Sequence, residues 1–341
     1  MREPYRREPG DALVGRTLRG KYLVEQRIGS GGMGVIYRGL HLALGSPVAL
    51  KVIRRGLRPD PAAIERFHDE ARRTSRLRHP HIVSVTDFGE AEDGTLFMAM
   101  EHIPGKTLAR VIAEGGPLSE RRVVRIGAQI LAAVAEAHAH RILHRDLNPS
   151  NVMIEPGRRT REVAKVLDFG IAIAGERALV GACPSPAGAV WGTHGYMSPE
   201  QSSGGMLDGR SDLYSVGVIL YEMLTGEVPA GGQGGDALHG TTRVSARLSR
   251  LVSRALSPSP EARPGTAEVM REELLAALEE KGQRARLKAL DAAVVRKAER
   301  DLAVHLGPLA AFVVARMASR ARDAAHLYEL LELEWSAISR E

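Results

Sequence analysis

Cysteine and long apolar stretches are nearly absent from this chain of 341 residues. The single cysteine, Cys183, excludes an intramolecular disulfide framework and a cysteine-rich zinc site. No apolar run approaches the roughly 18 residues that a membrane helix needs, so we expect no membrane span. Residues 1–10 are charged and carry no apolar stretch, which argues against a cleaved secretory signal. Together these features predict a protein of the reducing cytoplasm.

Lysine is also scarce, because it occurs seven times and arginine supplies the other 40 of the 47 basic residues. The formal net charge is +6 and the sequence pI is about 9.6. The arginines are spread along the chain, and an excess of this size bears on solubility and non-specific binding more than on fold. We therefore expect no nucleic-acid partner. The length itself predicts two or three folded units.

The first hundred residues show a strand-like pattern, and the residues after Gly105 show a helical one. Short β-branched or apolar runs stand at 35–37, 48–53, 82–85 and 96–98, and one helix is predicted over 62–77. Beyond them, apolar residues recur every three or four positions behind an N-cap at Ser119. These residues are Val123, Ile126, Ile130, Val134 and Ala137. A small sheet-rich lobe therefore precedes a larger helical lobe, which is an α+β arrangement.

From Gln283 onward the pattern is almost purely helical. Two apolar faces are predicted in this segment. One comprises Leu309, Phe312, Val313 and Met317, and the other comprises Leu327, Leu331 and Trp335. The segment is predicted to form a separate helical extension. It is expected to pack on the preceding lobe, to form a homodimer or to bind a partner, and the pattern fits all three.

A glycine-rich segment, Gly29 to Gly34, satisfies the pattern G-x-G-x-x-G. In the dinucleotide-binding fingerprint such glycines open a helix, whereas here the β-branched and aromatic run at 35–37 follows and predicts a strand. A hairpin with glycines at its tip lets backbone N–H groups approach phosphate oxygens closely. The segment by itself is also compatible with an ordinary glycine-rich hairpin.

Three further motifs carry groups that phosphoryl transfer requires. Lys51 ends the run Val-Ala-Leu-Lys, residues 144–151 read His-Arg-Asp-Leu-Asn-Pro-Ser-Asn, and residues 168–170 read Asp-Phe-Gly. Such transfer depends on positioning and on neutralising phosphate charge, so a lysine, two acids and an amide must converge on one triphosphate. In this order the motifs resemble those of the protein kinases, in particular the eukaryotic-like serine/threonine kinases of bacteria, over residues 18–278.

The resemblance implies a bilobal protein-kinase fold. Its N-lobe, expected at 18–103, has a small antiparallel β-sheet and one helix. Its C-lobe, expected at 104–281, is larger and helical. A flexible N-terminus (1–17) and extra C-terminal helices (282–341) complete the expected domains. The implied activity is transfer of the γ-phosphate of ATP to serine or threonine hydroxyls of a protein substrate, with autophosphorylation, in cytoplasmic signal transduction.

The resemblance also assigns roles to residues. Asp146 is expected to orient the substrate hydroxyl or accept its proton, and Lys51 to bind the α- and β-phosphates while pairing with Glu70. Asn151 and Asp168 are expected to hold Mg²⁺, which Mn²⁺ can replace. The residues expected to bind the nucleotide are Ile28, Gly29, Gly31, Gly34, Val35, Ala49, Lys51, Met100, Glu101, Ile103 and Met153.

Two positions depart from or complicate the family pattern. Asn148 stands where most serine/threonine kinases carry a lysine that contacts the γ-phosphate, which keeps open the alternative of a pseudokinase, a nucleotide-binding scaffold with weak or no transfer. Between 171 and 191 the only hydroxyl residue is Ser185, so activation is expected through Ser185, through Thr193 or without phosphorylation of this segment.

Three later residues match structural positions of the family. The resemblance implies an ion pair between Glu200 and Arg263, and it implies that Asp212 anchors the catalytic loop. His138 lies near the predicted end of a helix, where solvent exposure or capping is sufficient to explain it.

Overall fold

The computed structural model describes residues 11–30, 34–53, 72, 74–157, 162–169, 194–229, 244–288, 292–318, 320–321 and 323–338. The chain divides into two compact units, Met1–Leu274 and Leu275–Glu341. The domain boundaries expected from the sequence remain predictions.

The N-lobe, in the first unit, contains a six-stranded antiparallel sheet among its described residues. One face of this sheet packs into a core that includes Tyr22, Val24, Leu50 and Phe97, all 1% exposed or less. Burial of such side chains is the main stabilising contribution to a sheet of this size. The strands are β1 Thr17–Leu18, β2 Tyr22–Ser30, β3 Gly34–His41, β4 Ser46–Ile53, β5 Val85–Glu90 and β6 Leu96–Glu101. They lie in the sheet in the order β1-β2-β3-β4-β6-β5.

Three of the four predicted strand runs, at 35–37, 48–53 and 96–98, lie in strands of this sheet. The run predicted at 82–85 is wrong, because β5 begins only at Val85 and Ile82 makes an isolated parallel bridge to Val166. The predicted helix over 62–77 lies largely outside the described residues.

The C-lobe is built around the helix Glu120–Ala139, which follows Ser119 as predicted. The five apolar residues predicted for its buried face are each 1% exposed or less. This helix packs against the helix Gly209–Thr225, which is buried along most of its length. Among the described residues, the other helices of four residues or more that lie in or begin in this unit are Leu108–Gly115, Pro199–Ser203, Ala246–Ala255 and Ala267–Lys288.

A second, three-stranded antiparallel sheet lies beside the first, and several bonds connect the two. Val83, two residues before β5, donates its N–H to the carbonyl of Val166 (3.0 Å), and Val166 donates its N–H to the carbonyl of His81 (2.9 Å). The ammonium of Lys165 contacts both carboxylate oxygens of Glu101, at 2.7 and 2.9 Å. The strands of the second sheet are β7 Lys106–Thr107, β8 Val152–Glu155 and β9 Val163–Val166.

The second unit has its own apolar core, to which Ala298, Val314, Met317, Leu327 and Leu331 contribute. The predicted face of its second helix is corrected, because Leu309 and Phe312 are 65% and 68% exposed whereas Val314 and Met317 are buried. The helices that begin in the described part of this unit are Ala292–Leu306, Leu309–Ala318 and Ala324–Ile338.

The segment Leu309–Ala318 contains mostly apolar residues, so periodicity alone cannot select the stripe that faces a core. A packing, dimerising or partner-binding role for this unit remains a prediction. Within the described ranges, no helix combines the length and the apolar character needed to cross a bilayer.

Candidate active site

A cavity of about 670 Å³ lies between the two sheets of the first unit. This size is typical of a pocket for a small molecule or cofactor. Its walls are formed by the β2–β3 hairpin, by β4, by the segment after β6 and by the loop before β8. Nine of the predicted nucleotide-binding residues line it, namely Ile28, Gly29, Gly34, Ala49, Lys51, Met100, Glu101, Ile103 and Met153.

Val35 was expected at this cavity, but the structure places Ile36 there instead. In the antiparallel pair of β3 and β4, Ile36 lies opposite Lys51, and Val35 lies opposite Val52. Residues directly opposite each other project to the same face of a sheet. Ile36 therefore shares the cavity face with Lys51, whereas Val35 packs against the core cluster that contains Val52. Gly31, the remaining predicted residue, lies outside the described part of the chain.

Lys51 reaches across the cavity to Asp168. Its ammonium lies 2.7 Å from Oδ2 of Asp168, and the two side chains are 12% and 22% exposed. Asp168 follows β9 with a left-handed backbone (φ 54°), a conformation that is uncommon for a residue other than glycine. The two charges are thus held together where both face the cavity. Glu70, the predicted partner of Lys51, lies outside the described residues.

Asp146 lies on the loop before β8 and is held by two side-chain amides. Nδ2 of Asn151 donates to Oδ2 (3.0 Å) and to the main-chain carbonyl (2.7 Å) of Asp146. Nδ2 of Asn148 donates to Oδ1 (3.2 Å) and to the same carbonyl (3.1 Å). Burial raises the pKa of the Asp146 carboxyl, and these hydrogen bonds offset only part of that shift. The predicted catalytic loop therefore presents a fixed carboxylate to the cavity.

Asp212 anchors this loop, as predicted. It is 1% exposed, and its carboxylate accepts the main-chain N–H of His144 (2.9 Å) and that of Arg145 (2.8 Å). These bonds hold Arg145 in a left-handed conformation (φ 68°). Burial alone would raise the pKa of Asp212, but the bond from His138 and the other contacts leave that pKa lowered.

His138 was not predicted as a site residue, and it is neither freely exposed nor a simple cap. Its Nε2 lies 2.8 Å from Oδ2 of Asp212. The sequence contains one indication, since His138 is in the last turn of the helix Glu120–Ala139 and so precedes the catalytic loop by a few residues. His144 supports the other side of the loop, where its Nε2 donates to the carbonyl of Leu167 (2.8 Å).

The sequence pattern of the protein kinase domain matches residues 22–275. The chain belongs to the protein kinase family.

Several bacterial kinases are similar to this kinase chain. Serine/threonine-protein kinase pkn3 of Myxococcus xanthus is 43% identical over 329 residues, which cover 92% of the chain and 59% of the relative. Serine/threonine-protein kinase PknB of Mycobacterium tuberculosis is 38% identical over 273 residues, which cover 75% of the chain and 42% of the relative. The chain thus spans about half the length of these relatives.

Solved structures with the same fold include the kinase domain of PknI from Mycobacterium tuberculosis. It superposes with a TM-score of 0.60 at 28% identity, and the match covers 79% of this chain and 100% of that domain. The bilobal architecture expected from the sequence is therefore confirmed.

The ion pair expected in the kinase C-lobe is present. Arg263 and Glu200 form two parallel bonds, Nη1 to Oε1 at 2.6 Å and Nη2 to Oε2 at 2.8 Å, and Oγ of Ser211 donates to Oε1 (2.7 Å). The Arg263 side chain is fully buried. Its remaining donors bond to the carbonyls of Ser257, Pro258 and Arg210.

Two oxygen-bearing side chains that line the cavity, those of Asn151 and Asp168, offer donors suited to a divalent cation. The NH₂ group of Asn151 is turned towards Asp146, which leaves its carbonyl Oδ1 available, and Asp168 supplies a carboxylate. Oxygen donors, few of them from protein, are the ligands that Mg²⁺ prefers beside phosphates. The part of the chain that the structure describes contains no group of three or more acidic, His or Cys side chains able to hold a metal by themselves. The residues present fit Mg²⁺ bound together with a triphosphate.

Proposed function

We propose that this chain is an active serine/threonine protein kinase, which transfers the γ-phosphate of ATP to hydroxyl groups of a protein substrate and of itself. One observation carries the proposal: Lys51, Asp146, Asn151 and Asp168 all line a single cavity of nucleotide size. The relatives named serine/threonine-protein kinases support the choice of substrate class. A cytoplasmic setting is part of the proposal and is favoured by the single cysteine.

In the proposed reaction, Asp146 accepts a hydrogen bond from the substrate hydroxyl and so aims its oxygen at the γ-phosphorus. As the new oxygen–phosphorus bond forms, the bond from phosphorus to the bridging oxygen of ADP breaks, and the hydroxyl proton passes to the Asp146 carboxylate. The raised pKa of Asp146 favours this transfer, because a more basic carboxylate is a better acceptor. Lys51 contributes positive charge towards the phosphates.

Asn151 and Asp168 are the residues that would hold Mg²⁺. The bound ion would supply neutralisation of phosphate charge. The ammonium of Lys51 lies against Asp168, so this carboxylate has a cation beside it.

The scaffold alternative rested on Asn148. It is not favoured, because Asn148 bonds to the carboxylate of Asp146 and the other predicted groups of the described site line the cavity. A scaffold needs no such arrangement around the acid of the catalytic loop.

The proposal is tested with purified full-length protein, labelled ATP, Mg²⁺ and a generic basic protein substrate. Wild type is expected to phosphorylate the substrate and itself. Asp146→Asn should lower the rate by about 10²-fold or more while leaving ATP binding intact, and Lys51→Met should weaken both. The matched control is Asp301→Asn, which alters an exposed side chain in the second unit. Wild-type protein that binds ATP but transfers nothing would favour the scaffold.

A further inference from the structure

Asn148 occupies the position at which the sequence departs from most serine/threonine kinases, and its side chain is 7% exposed. We propose that Asn148 is a positioning residue for phosphoryl transfer, which clamps the Asp146 carboxylate through an uncharged amide. The inference rests on the proposed function, because it assigns a role within the same reaction.

The two ends of the Asn148 amide have different partners. Its oxygen Oδ1 accepts the main-chain N–H of Ser150 (2.9 Å) and so caps the short 3₁₀ helix Pro149–Asn151. Its nitrogen Nδ2 donates to Oδ1 of Asp146 (3.2 Å) and to the Asp146 carbonyl (3.1 Å). Because the Ser150 contact fixes the plane of the amide, the direction of its N–H groups is fixed as well.

Asn151 completes the clamp from the other oxygen. Its Nδ2 donates to Oδ2 of Asp146 (3.0 Å), whereas Asn148 donates to Oδ1. A carboxylate held at one oxygen can still rotate about its Cβ–Cγ bond, but one held at both oxygens keeps its plane. Each oxygen retains acceptor capacity for the substrate hydroxyl, because a carboxylate oxygen accepts more than one hydrogen bond.

The clamp adds no charge beside Asp146. The charged or titratable groups that act on this carboxylate are His144 on the same loop and Asp168 after β9, and Lys51 is engaged with Asp168. A lysine at position 148 would instead bring a mobile ammonium on a four-carbon stem. The Asn148 amide is shorter, and its hydrogen bond from the Ser150 N–H fixes its orientation. It therefore holds the Asp146 carboxylate in one place through an uncharged group.

Substitutions can separate the clamp from the cap. Serine and aspartate both cap helices through an oxygen, so Asn148→Ser and Asn148→Asp retain an acceptor for the Ser150 N–H. Neither offers the NH₂ group that reaches Asp146. In addition, Asn148→Asp places a second carboxylate against the first.

The experiment measures kcat, KM for ATP, the Kd of ATP and the midpoint of thermal unfolding for the full chain. Asn148→Ser is expected to lower kcat by about 10- to 100-fold, because small misplacements of a catalytic group have effects of that order. Asn148→Asp is expected to lower kcat further. KM and Kd for ATP should stay within about threefold, and the unfolding midpoint should stay close to that of wild type, since the cap is kept.

A double-mutant cycle supplies the control. If Asn148 acts through Asp146, then Asn148→Ser should change the residual single-turnover rate of the Asp146→Asn variant by less than about twofold. Two results would overturn the clamp and leave the proposed function intact. One is a wild-type kcat in Asn148→Ser, and the other is an equal fold loss in rate from Asn148→Ser whether position 146 is Asp or Asn. Wild-type protein without any transfer would refute the proposed function and the clamp with it.

Discussion

Removal of the charge of Glu200 gives a quantitative test of the C-lobe. The Glu200 side chain is 13% exposed and accepts bonds from the fully buried Arg263 and from Ser211. Burial opposes ionisation of Glu200, but the Arg263 guanidinium and the other donors outweigh it and lower its pKa from 4.5 to about 2. The perturbation is Glu200→Gln, which keeps the shape of the side chain and removes its charge.

The expected magnitude follows from that shift in pKa. A shift of about 2.5 units at roughly 1.36 kcal/mol per unit corresponds to about 3 kcal/mol of folding free energy. Since the folded-state pKa of Glu200 is the lower one, the contribution is fully present above about pH 4.5 and is lost as the pH falls towards 2. At pH 3 less than half of this contribution remains. The gap in unfolding free energy between wild type and Glu200→Gln should therefore shrink by about 2 kcal/mol from pH 7 to pH 3.

The assay is urea denaturation of both proteins at pH 7 and pH 3. Glu272→Gln serves as the matched control, because Glu272 is exposed in the same lobe and should show almost no gap at either pH. A gap for Glu200→Gln that stays constant between the two pH values within about 0.5 kcal/mol would refute the reasoning. In that case the stabilising contact would not depend on the ionisation of Glu200.

Three further substitutions test packing and burial in the same domain. In Gly105→Ala the new Cβ would overlap the carbonyl oxygen of Ile154, so the unfolding free energy should fall by about 2 kcal/mol or more. Gly115→Ala places its Cβ in open space at a helical position, so the unfolding free energy should rise by about 0.5 kcal/mol. Equal effects in denaturant titrations would contradict this contrast. Tyr196→Phe removes the hydroxyl that donates to Glu222 (2.6 Å). Burial raises the pKa of Glu222, so its carboxyl sits away from water and loses a partner there, and the unfolding free energy should fall by about 1–3 kcal/mol. An unchanged midpoint of thermal unfolding in Tyr196→Phe would contradict this expected loss.

The sequence predicted most of the cavity because its residues belong to short contiguous motifs. A motif places several groups at once, so Lys51, Asp146, Asn151 and Asp168 were all expected where the structure has them. Which side chains of a strand face the cavity was harder to predict. Assigning Val35 instead of Ile36 reversed the face, since a shift of one residue moves every side chain to the opposite side of a sheet.

Contacts between distant residues were harder to predict. The partner of His138 is Asp212, 74 positions away, and the place of His138 in the last helical turn before the catalytic loop does not identify that partner. Asn148 was recognised as unusual, but its hydrogen bonds to Asp146 follow from the backbone of the loop, which the sequence alone does not specify. In the second unit, Leu309–Ala318 contains so many apolar residues that the sequence pattern did not distinguish the buried side of the helix from the exposed side.

The bonds between the two sheets have an evolutionary consequence. The contacts of Val166 with Val83 and with His81 join main-chain atoms, so side-chain substitutions leave them in place. The contact between Lys165 and Glu101 uses side chains and can be lost through a single codon change. Selection can therefore adjust the stiffness between the two sheets at the Lys165–Glu101 pair without changing the main-chain bonds.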